Sequence, residues 1–473
     1  MASFYSVEAI NTNDRKGGRQ NGRSNENDTG VAIMSYAIAR NRNVNSEINK
    51  LYAEDRSVHE WYRFVLSFPP HLVRTYLERF GVTHEQRVLD PFCGTGTVLV
   101  ECKKLGITSA GIEANPMAHF ASLVKVDWSV DPDRLMEHTR SVAEIAHAKL
   151  EQQGIEDNPL IQIVHDGREL LTLPPESLKL LLTNSISPLP LHKTLVLLEC
   201  MEEYRDERYY RYERLALAKA LVFTISNLQF GPEVGIGPAK HDAPVVSSWL
   251  TCVSAMANDL RKVQNMGETS SVVHLADARQ VADVLEPHSI DAVITSPPYP
   301  NEKDYTRTTR LESVLLGFIS NKAELQALKR GLVRSNTRGV YKTDDDDQWV
   351  MEHPEIQRIA NAIETRRIEL GKTSGFERLY ARVTKLYFGG IARHLADLRL
   401  VLRPGAQLAY VVGDQASYLR VMIPTGQLLA DLAQSLGYEL VGIDLFRTRL
   451  STATKEQLRE EVVVLRWPGD DRN

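Results

Sequence analysis

Residues 87–97 read RVLDPFCGTGT, Arg87 to Thr97, and this stretch decides the fold. Arg87, Val88 and Leu89 form a short strand-like run, and Gly94 and Gly96 let the chain turn tightly. Val98, Cys102 and Leu105 then recur at helical spacing until Gly106 ends the helix. A second short apolar run, residues 109–112, leads to Glu113 and to Asn115-Pro116, where the proline disfavours helix for the residue before it. Strand, glycine loop, helix and strand make a βαβ unit, the opening of a doubly wound α/β sheet.

Working outward, residues 11–30 are Asn, Arg, Gly, Ser and Asp with almost nothing apolar, so residues 1–60 read as an N-terminal arm, partly disordered. Globular sequence begins at Trp61 with WYRFVLSFPP, followed by a helical pattern that stops at Gly81. Residues 61–156 are expected to be the first half of the core, ending in a helix with Asp131 as N-cap and Pro132 in its first position. Residues 157–267 lose the strand-helix alternation and read as a helical insertion. Alternation resumes in residues 268–300, where strands end before Asp277 and before TSPPY, Thr295 to Tyr299. Residues 301–375, which contain the acidic run Asp344 to Asp347, read as a loop-rich insertion, and residues 376–473 as the C-terminal half of the core with a Pro404-Gly405 turn and a hairpin-like final pair of strands.

The 473 residues carry 56 Lys plus Arg against 61 Asp plus Glu, a formal charge of -5, so binding to a polyanion must rest on a local basic face. Cys93, Cys102, Cys200 and Cys252 form no CxxC pair and have no His cluster at zinc spacing, which points to no metal, no disulfide framework and a reducing cytoplasm. The first thirty residues carry no apolar core of signal-peptide length, and no later stretch approaches the length of a membrane span.

The chemistry lies in three places. Gly94 and Gly96 permit close approach of the backbone to a ligand, and the helix after Thr97 offers its amide-rich end, so a nucleotide-like cofactor fits. A tight turn needed only for packing is the alternative. Neither GxGxxG nor a P-loop lysine is present, whereas Glu113 stands one strand later, where an acid bonds ribose hydroxyls. The second place is TSPPY, which presents a Ser hydroxyl, a carbonyl and an aromatic face on a chain stiffened by Pro297 and Pro298, a set suited to a planar ring bearing an amino group. The third is residues 329–342, where Arg330, Arg334 and Arg338 alternate with small polar residues and are candidates for phosphate and base-edge contacts. A solvated basic loop, neutralised by Asp344 to Asp347, is the competing reading.

DPFCGTGT, with GIEANP (Gly111 to Pro116), ADAR (Ala276 to Arg279) and TSPPY, resembles the S-adenosylmethionine-dependent amino-methyltransferases of DNA. That resemblance implies a class I methyltransferase-like doubly wound sheet with a helical insertion and a loop-rich insertion. It implies that Asp90, Phe92, Gly94, Gly96, Thr97 and Glu113 hold S-adenosylmethionine, with Asp277 near its adenine and Phe68 near its methionine end. Ser296, Pro297, Pro298 and Tyr299 would be the catalytic tetrad. A serine in the tetrad is more similar to the cytosine-N4 enzymes than to the adenine-N6 enzymes. The implied partners are double-stranded DNA with its target base flipped out and the components of a restriction or related defence system. An adenine-N6 DNA methyltransferase, an RNA guanine-N2 methyltransferase and a non-catalytic cofactor- and DNA-binding subunit remain the alternatives. A cytosine-C5 mechanism through Cys93 is disfavoured, because the chain has no Pro-Cys pair.

Overall fold

The short apolar runs pair into one seven-stranded sheet. In chain order its strands are β1 (Arg87–Asp90), β2 (Thr108–Glu113), β3 (Ser271–Leu275), β4 (Ile290–Thr295), β5 (Leu402–Gly413), β6 (Glu439–Leu450) and β7 (Gln457–Arg466). The structure, a computed structural model, describes residues 51–63, 67–158, 169–230, 234–301, 303–450 and 457–469. The arm read in residues 11–30 lies outside them.

The strand order is β3-β2-β1-β4-β5-β7-β6. Neighbours from β3 to β5 run parallel, and β7 runs antiparallel to both β5 and β6. This is the expected class I methyltransferase-like doubly wound sheet, closed by the expected hairpin-like pair. Val88 faces Ser109 of β2 on one side and Ala292 of β4 on the other, so β1 sits at the point where the strand order reverses. Ligands of open α/β sheets bind in the crevice outside the carboxyl ends at that reversal. The two motifs stand there, one after β1 and one after β4.

Burial on both faces explains the near-continuous apolar strands. Ala292, Ile294, Ala409 and Val411 enter one core, whereas Val293, Leu408, Tyr410 and Val412 enter the other. On the first face pack α1 (Pro70–Arg79), α2 (Thr97–Lys104), α3 (Pro116–Lys125) and α4 (Pro132–Gln152). Asp131 caps α4 as expected, accepting from the amides of Asp133 and Arg134. The insertion joins the same core through α5 (Pro188–Glu203), α6 (Tyr210–Ala220) and α7 (Val245–Val263), and it is helical as read, apart from a small hairpin, Leu228–Phe230 with Val234–Ile236. Asp157 ties its start to its end by accepting from the amides of Val245 and Ser247 at 2.7 and 2.8 Å.

Three expectations need correction. Residues 301–375 are not loop-rich: they contain α8 (Lys322–Arg330) and α9 (Pro354–Glu369) besides shorter turns. Ile356, Ile359 and Ile363 of α9 are buried in the second core beside α10 (Tyr380–Leu398) and α11 (Thr425–Ser435). Pro404-Gly405 is not a turn before β5 but lies within it, where the register to β4 jumps from Ile290↔Leu402 to Ala292↔Gln407. The arm also ends earlier than residue 60. Val58 and His59 are buried, and His59 and Arg74 both bind the buried carboxylate of Glu101 on α2.

The acidic run is likewise not a wholly solvated face: Asp345 is exposed, but its neighbour Asp346 is internal. Asp346 is 3% exposed and binds Arg279 and Arg393. Its backbone lies against Gly389 of α10, where a Cβ would fall 1.8 Å from the Asp346 carbonyl oxygen. Gly389→Ala is therefore expected to cost about 1–3 kcal/mol of stability, as overpacking against backbone does. Gly375→Ala, with nothing within 4 Å of the new atom, serves as the control. Thermal melts of the two variants check this, and equal melting temperatures would show that the acidic turn is free to move away.

Candidate active site

The turn after β1 is built from the inside. Asp90, 1% exposed, accepts the Phe92 amide at 3.1 Å and the Thr295 hydroxyl at 2.6 Å, so one carboxyl ties the glycine loop to the strand that carries the tetrad. Its other oxygen is buried without a partner. Burial raises this carboxyl to about 7, against the bonds from Thr295 and Phe92, and the Glu113 charge adds to the rise. Gly94 and Gly96 have φ of 52° and 83°, conformations that glycine adopts without strain. A Cβ on Gly96 would lie 2.9 Å from Ser122 Oγ on α3.

Glu113 at the end of β2 accepts the Gly94 amide at 2.9 Å with one oxygen and the Asn115 amide at 2.7 Å with the other. Burial lifts it also to about 7, while those backbone bonds pull the other way. Beneath the loop, Lys125 of α3 donates to the carbonyls of Thr95 and Tyr62 at 2.8 and 3.1 Å. It is 1% exposed, and burial first, then the charge of Arg63, lowers it to about 7. Sequence reasoning missed this prop, since a lysine in the last turn of a helix looks like a solvated cation.

On the neighbouring strand end, Ser296 Oγ donates to the Val411 carbonyl of β5 at 3.1 Å. The Tyr299 ring packs over Gly413, where a Cβ would fall 3.0 Å from ring atom Cε2. Burial, with the Glu460 charge next, raises the Tyr299 hydroxyl well above its ordinary value.

A cavity of about 560 Å³ joins the two motifs. Its lining includes Phe68, Phe92, Gly94, Thr97, Glu113 and Asp277 toward the glycine loop, and Ser296, Pro297, Pro298 and Tyr299 toward the tetrad. Two residues expected to hold the cofactor do not reach it. Asp90 lies beneath the loop, and a Cβ on Gly96 would meet Ser122, so both shape the turn. Asp277 lines the cavity with its carboxylate engaged by Arg279 at 2.6 Å, and Arg279 also grips Asp346.

The basic run departs furthest from expectation. Arg334 borders the cavity but is only 4% exposed. Its guanidinium donates to both oxygens of Asp344 at 2.9 Å and to the carbonyls of Lys329 and Arg330, so it is an internal brace and not a phosphate contact. Arg330 and Arg338 are exposed and lie over Tyr341 and Phe376, outside the cavity lining. The lining instead includes residues that sequence reasoning did not single out, among them Asn301, Tyr305, Gln415, Arg447, Arg449 and Glu460. Burial pushes the Cys93 thiol well up, with the Asp90 and Glu113 charges adding, so it is no thiolate nucleophile.

Comparison with known proteins finds DNA methylases. The DNA methylase family matches residues 14–122, which include the glycine loop and Glu113. The Type II methyltransferase M.BsoBI of Geobacillus stearothermophilus is 26% identical over 446 residues, 87% of this chain and 85% of that protein. Type II methyltransferase M.AvaI of a Nostoc species is 24% identical over 449 residues, 87% of this chain and 86% of that protein. A tRNA (guanine(10)-N2)-dimethyltransferase of Methanothermobacter thermautotrophicus is 32% identical over 104 residues, 22% of this chain and 23% of that protein. The resemblance to the DNA amino-methyltransferases that the motifs carry is borne out, by a DNA methylase family that matches the chain and by Type II methyltransferases similar to it over most of its length.

Proposed function

We propose that this protein transfers a methyl group from S-adenosylmethionine to the exocyclic N4 amine of cytosine in DNA, as the modification enzyme of a restriction-modification system. The observation that carries the reading is the single cavity with the glycine loop and Glu113 at one end and the Ser296–Tyr299 tetrad at the other. DNA methylation as the activity is supported by the matched family and the Type II relatives; cytosine N4 is supported by the serine in the tetrad.

The residues present fit the methyl donor. Gly94 gives close backbone approach, Phe68 and Phe92 give apolar walls, and Glu113 faces the cavity with lone pairs left over after its two amide bonds. Bound S-adenosylmethionine is the methyl donor and supplies a methyl group on a cationic sulfonium. At the other end, the Ser296 hydroxyl donates a hydrogen bond to the Val411 carbonyl, which leaves its oxygen to accept a hydrogen from the target amine. With the Pro297 carbonyl accepting the second hydrogen, the nitrogen lone pair is drawn out of conjugation with the ring, and the proton that the amine sheds once the methyl is bonded passes from this acceptor side to solvent. Tyr299, held over Gly413, stacks on a base that a duplex can present only after flipping. Positioning and preorganised acceptors therefore do most of the catalytic work.

Mass spectrometry of digested DNA from an expressing host tests the reading, with N4-methylcytosine as the expected product. N6-methyladenine alone would move the reading to the other amine. The local match to a tRNA guanine-N2 enzyme favours RNA as the second reading. Transfer of labelled methyl to transfer RNA but not to DNA would establish it.

A further inference from the structure

Charged side chains line both ends of the cavity. Toward the glycine loop it carries the carboxyls of Glu113 and Asp277; toward the tetrad, β6 contributes Arg447 and Arg449. These two arginines share one carboxylate, that of Glu460 on β7. Arg447 Nε bonds one of its oxygens, and Arg449 Nε lies 3.4 Å from the other. Arg449 also donates to the Asp414 carbonyl at 3.1 Å. Glu460 thus fixes both guanidinium groups from β7, and Asp414 fixes Arg449 from just past the end of β5, its carboxylate a second negative charge felt by that arginine. The two arginine side chains are 22% and 39% exposed, while Glu460 is nearly buried at 9%.

The cluster sits on the base side. Gly413 would place a Cβ 3.0 Å from the Tyr299 ring and 3.1 Å from Glu460 Cγ, so the tetrad's aromatic face and the carboxylate that aligns the arginines border the same position. The other ion pairs on the lining are closed: Lys329 with Asp304 at 2.7 Å, and Arg334 with Asp344. A flipped nucleotide brings its own phosphodiester to the mouth of the pocket that takes its base. Planar, fixed guanidinium groups are the side chains best matched to phosphate oxygens.

The geometry points to Arg447 and Arg449 as the binding site for the DNA phosphodiester next to the flipped base, with Glu460 as the group that orients them. This inference rests on the proposed action on DNA, and it moves phosphate recognition from residues 329–342 to the C-terminal hairpin.

The test is methyl transfer from labelled S-adenosylmethionine to genomic DNA of a host lacking the modification, measured against DNA concentration at several salt concentrations. Gln is used first, because its amide can still donate to Glu460 and the nearly buried carboxylate is not abandoned. R447Q/R449Q is expected to raise the half-saturating DNA concentration about tenfold, with a salt dependence shallower by about 0.9 for each phosphate no longer neutralised. Calorimetric affinity for S-adenosylmethionine is expected to be unchanged. R447K/R449K, which keeps the charge but not the fork, is expected to restore the salt slope and part of the DNA affinity, a rescue that a merely structural role for the guanidinium forks would not give. Unchanged half-saturation and salt slope in R447Q/R449Q, with wild-type transfer intact, would overturn the phosphate site and leave the proposed function standing. No transfer to DNA by the wild type would overturn both.

Discussion

Ser296→Ala is expected to lower turnover on DNA by about 10- to 100-fold, the equivalent of one hydrogen bond to a group that gains charge, while leaving the affinity for S-adenosylmethionine unchanged. Ser296 is placed for this by its bond to the Val411 carbonyl, which fixes the direction of its lone pairs. Tyr299→Ala is expected to do more, because it removes the stacking face, worth roughly 1–3 kcal/mol per base, and opens space over Gly413 into which the base can tilt. Loss of both base capture and rate brings the combined effect on kcat/KM for DNA to about 100- to 1000-fold. Tyr299→Phe keeps the face and is expected to retain most activity. Steady-state kinetics with DNA as the varied substrate, paired with calorimetry for the cofactor, separates these outcomes. Full activity in both Ser296→Ala and Tyr299→Ala would remove the tetrad from the mechanism.

The parts of this site legible in the sequence are those set by local backbone rules. RVLD followed by Gly94 and Gly96 could form little other than strand and tight turn, and Asn115-Pro116 could only begin a new element. The alternation of Val293 with Ala292 and Ile294 then shows why each strand reads as continuously apolar: both faces of the sheet are covered. What sequence could not show is which charges end up facing one another. Arg334 and Arg338 are alike in a basic, polar run, yet Asp344 and three carbonyls draw Arg334 inside, and Arg338 stays at the surface. Asp346 likewise sits in a run that reads as solvated, and its burial depends on two glycines of α10 and on Arg279, far along the chain. The helix Pro354–Glu369 was readable from Ile356, Ile359 and Ile363 and from the proline in its first turn; its polar surroundings concealed it. Arg447, Arg449 and Glu460 meet Tyr299 only through the sheet order that sets β5 between β4 and β7.

Replacing Glu113 is expected to have the second large effect. Its carboxylate holds the Gly94 and Asn115 amides and faces the cavity, so Glu113→Gln loses the anionic acceptor for the ribose hydroxyls and one amide bond of the loop. Charge-assisted hydrogen bonds contribute about 1.5–3 kcal/mol each, and the expected loss of S-adenosylmethionine affinity is about 100-fold or more. The pH dependence gives the same assignment a sharper test. In the unliganded protein burial raises Glu113 to about 7, whereas an exposed glutamate ionises near 4.3. The folded chain therefore holds a proton that the unfolded chain has released between about pH 4 and 7, and Asp90, also at about 7, does the same. The stability these carboxyls contribute is complete below about pH 4 and is lost as the pH rises through about 7. Hydroxyl donors act in the opposite direction, because they favour the ionised form. Cofactor affinity should thus rise with pH by up to about tenfold per unit below 7 and level off above it, and the cofactor-induced gain in melting temperature should widen over the same range. Calorimetry from pH 5.5 to about 8 on the wild type and on Glu113→Gln measures this, with a flat profile expected only for the variant. A flat profile in the wild type would show that Glu113 does not receive the cofactor as a carboxylate.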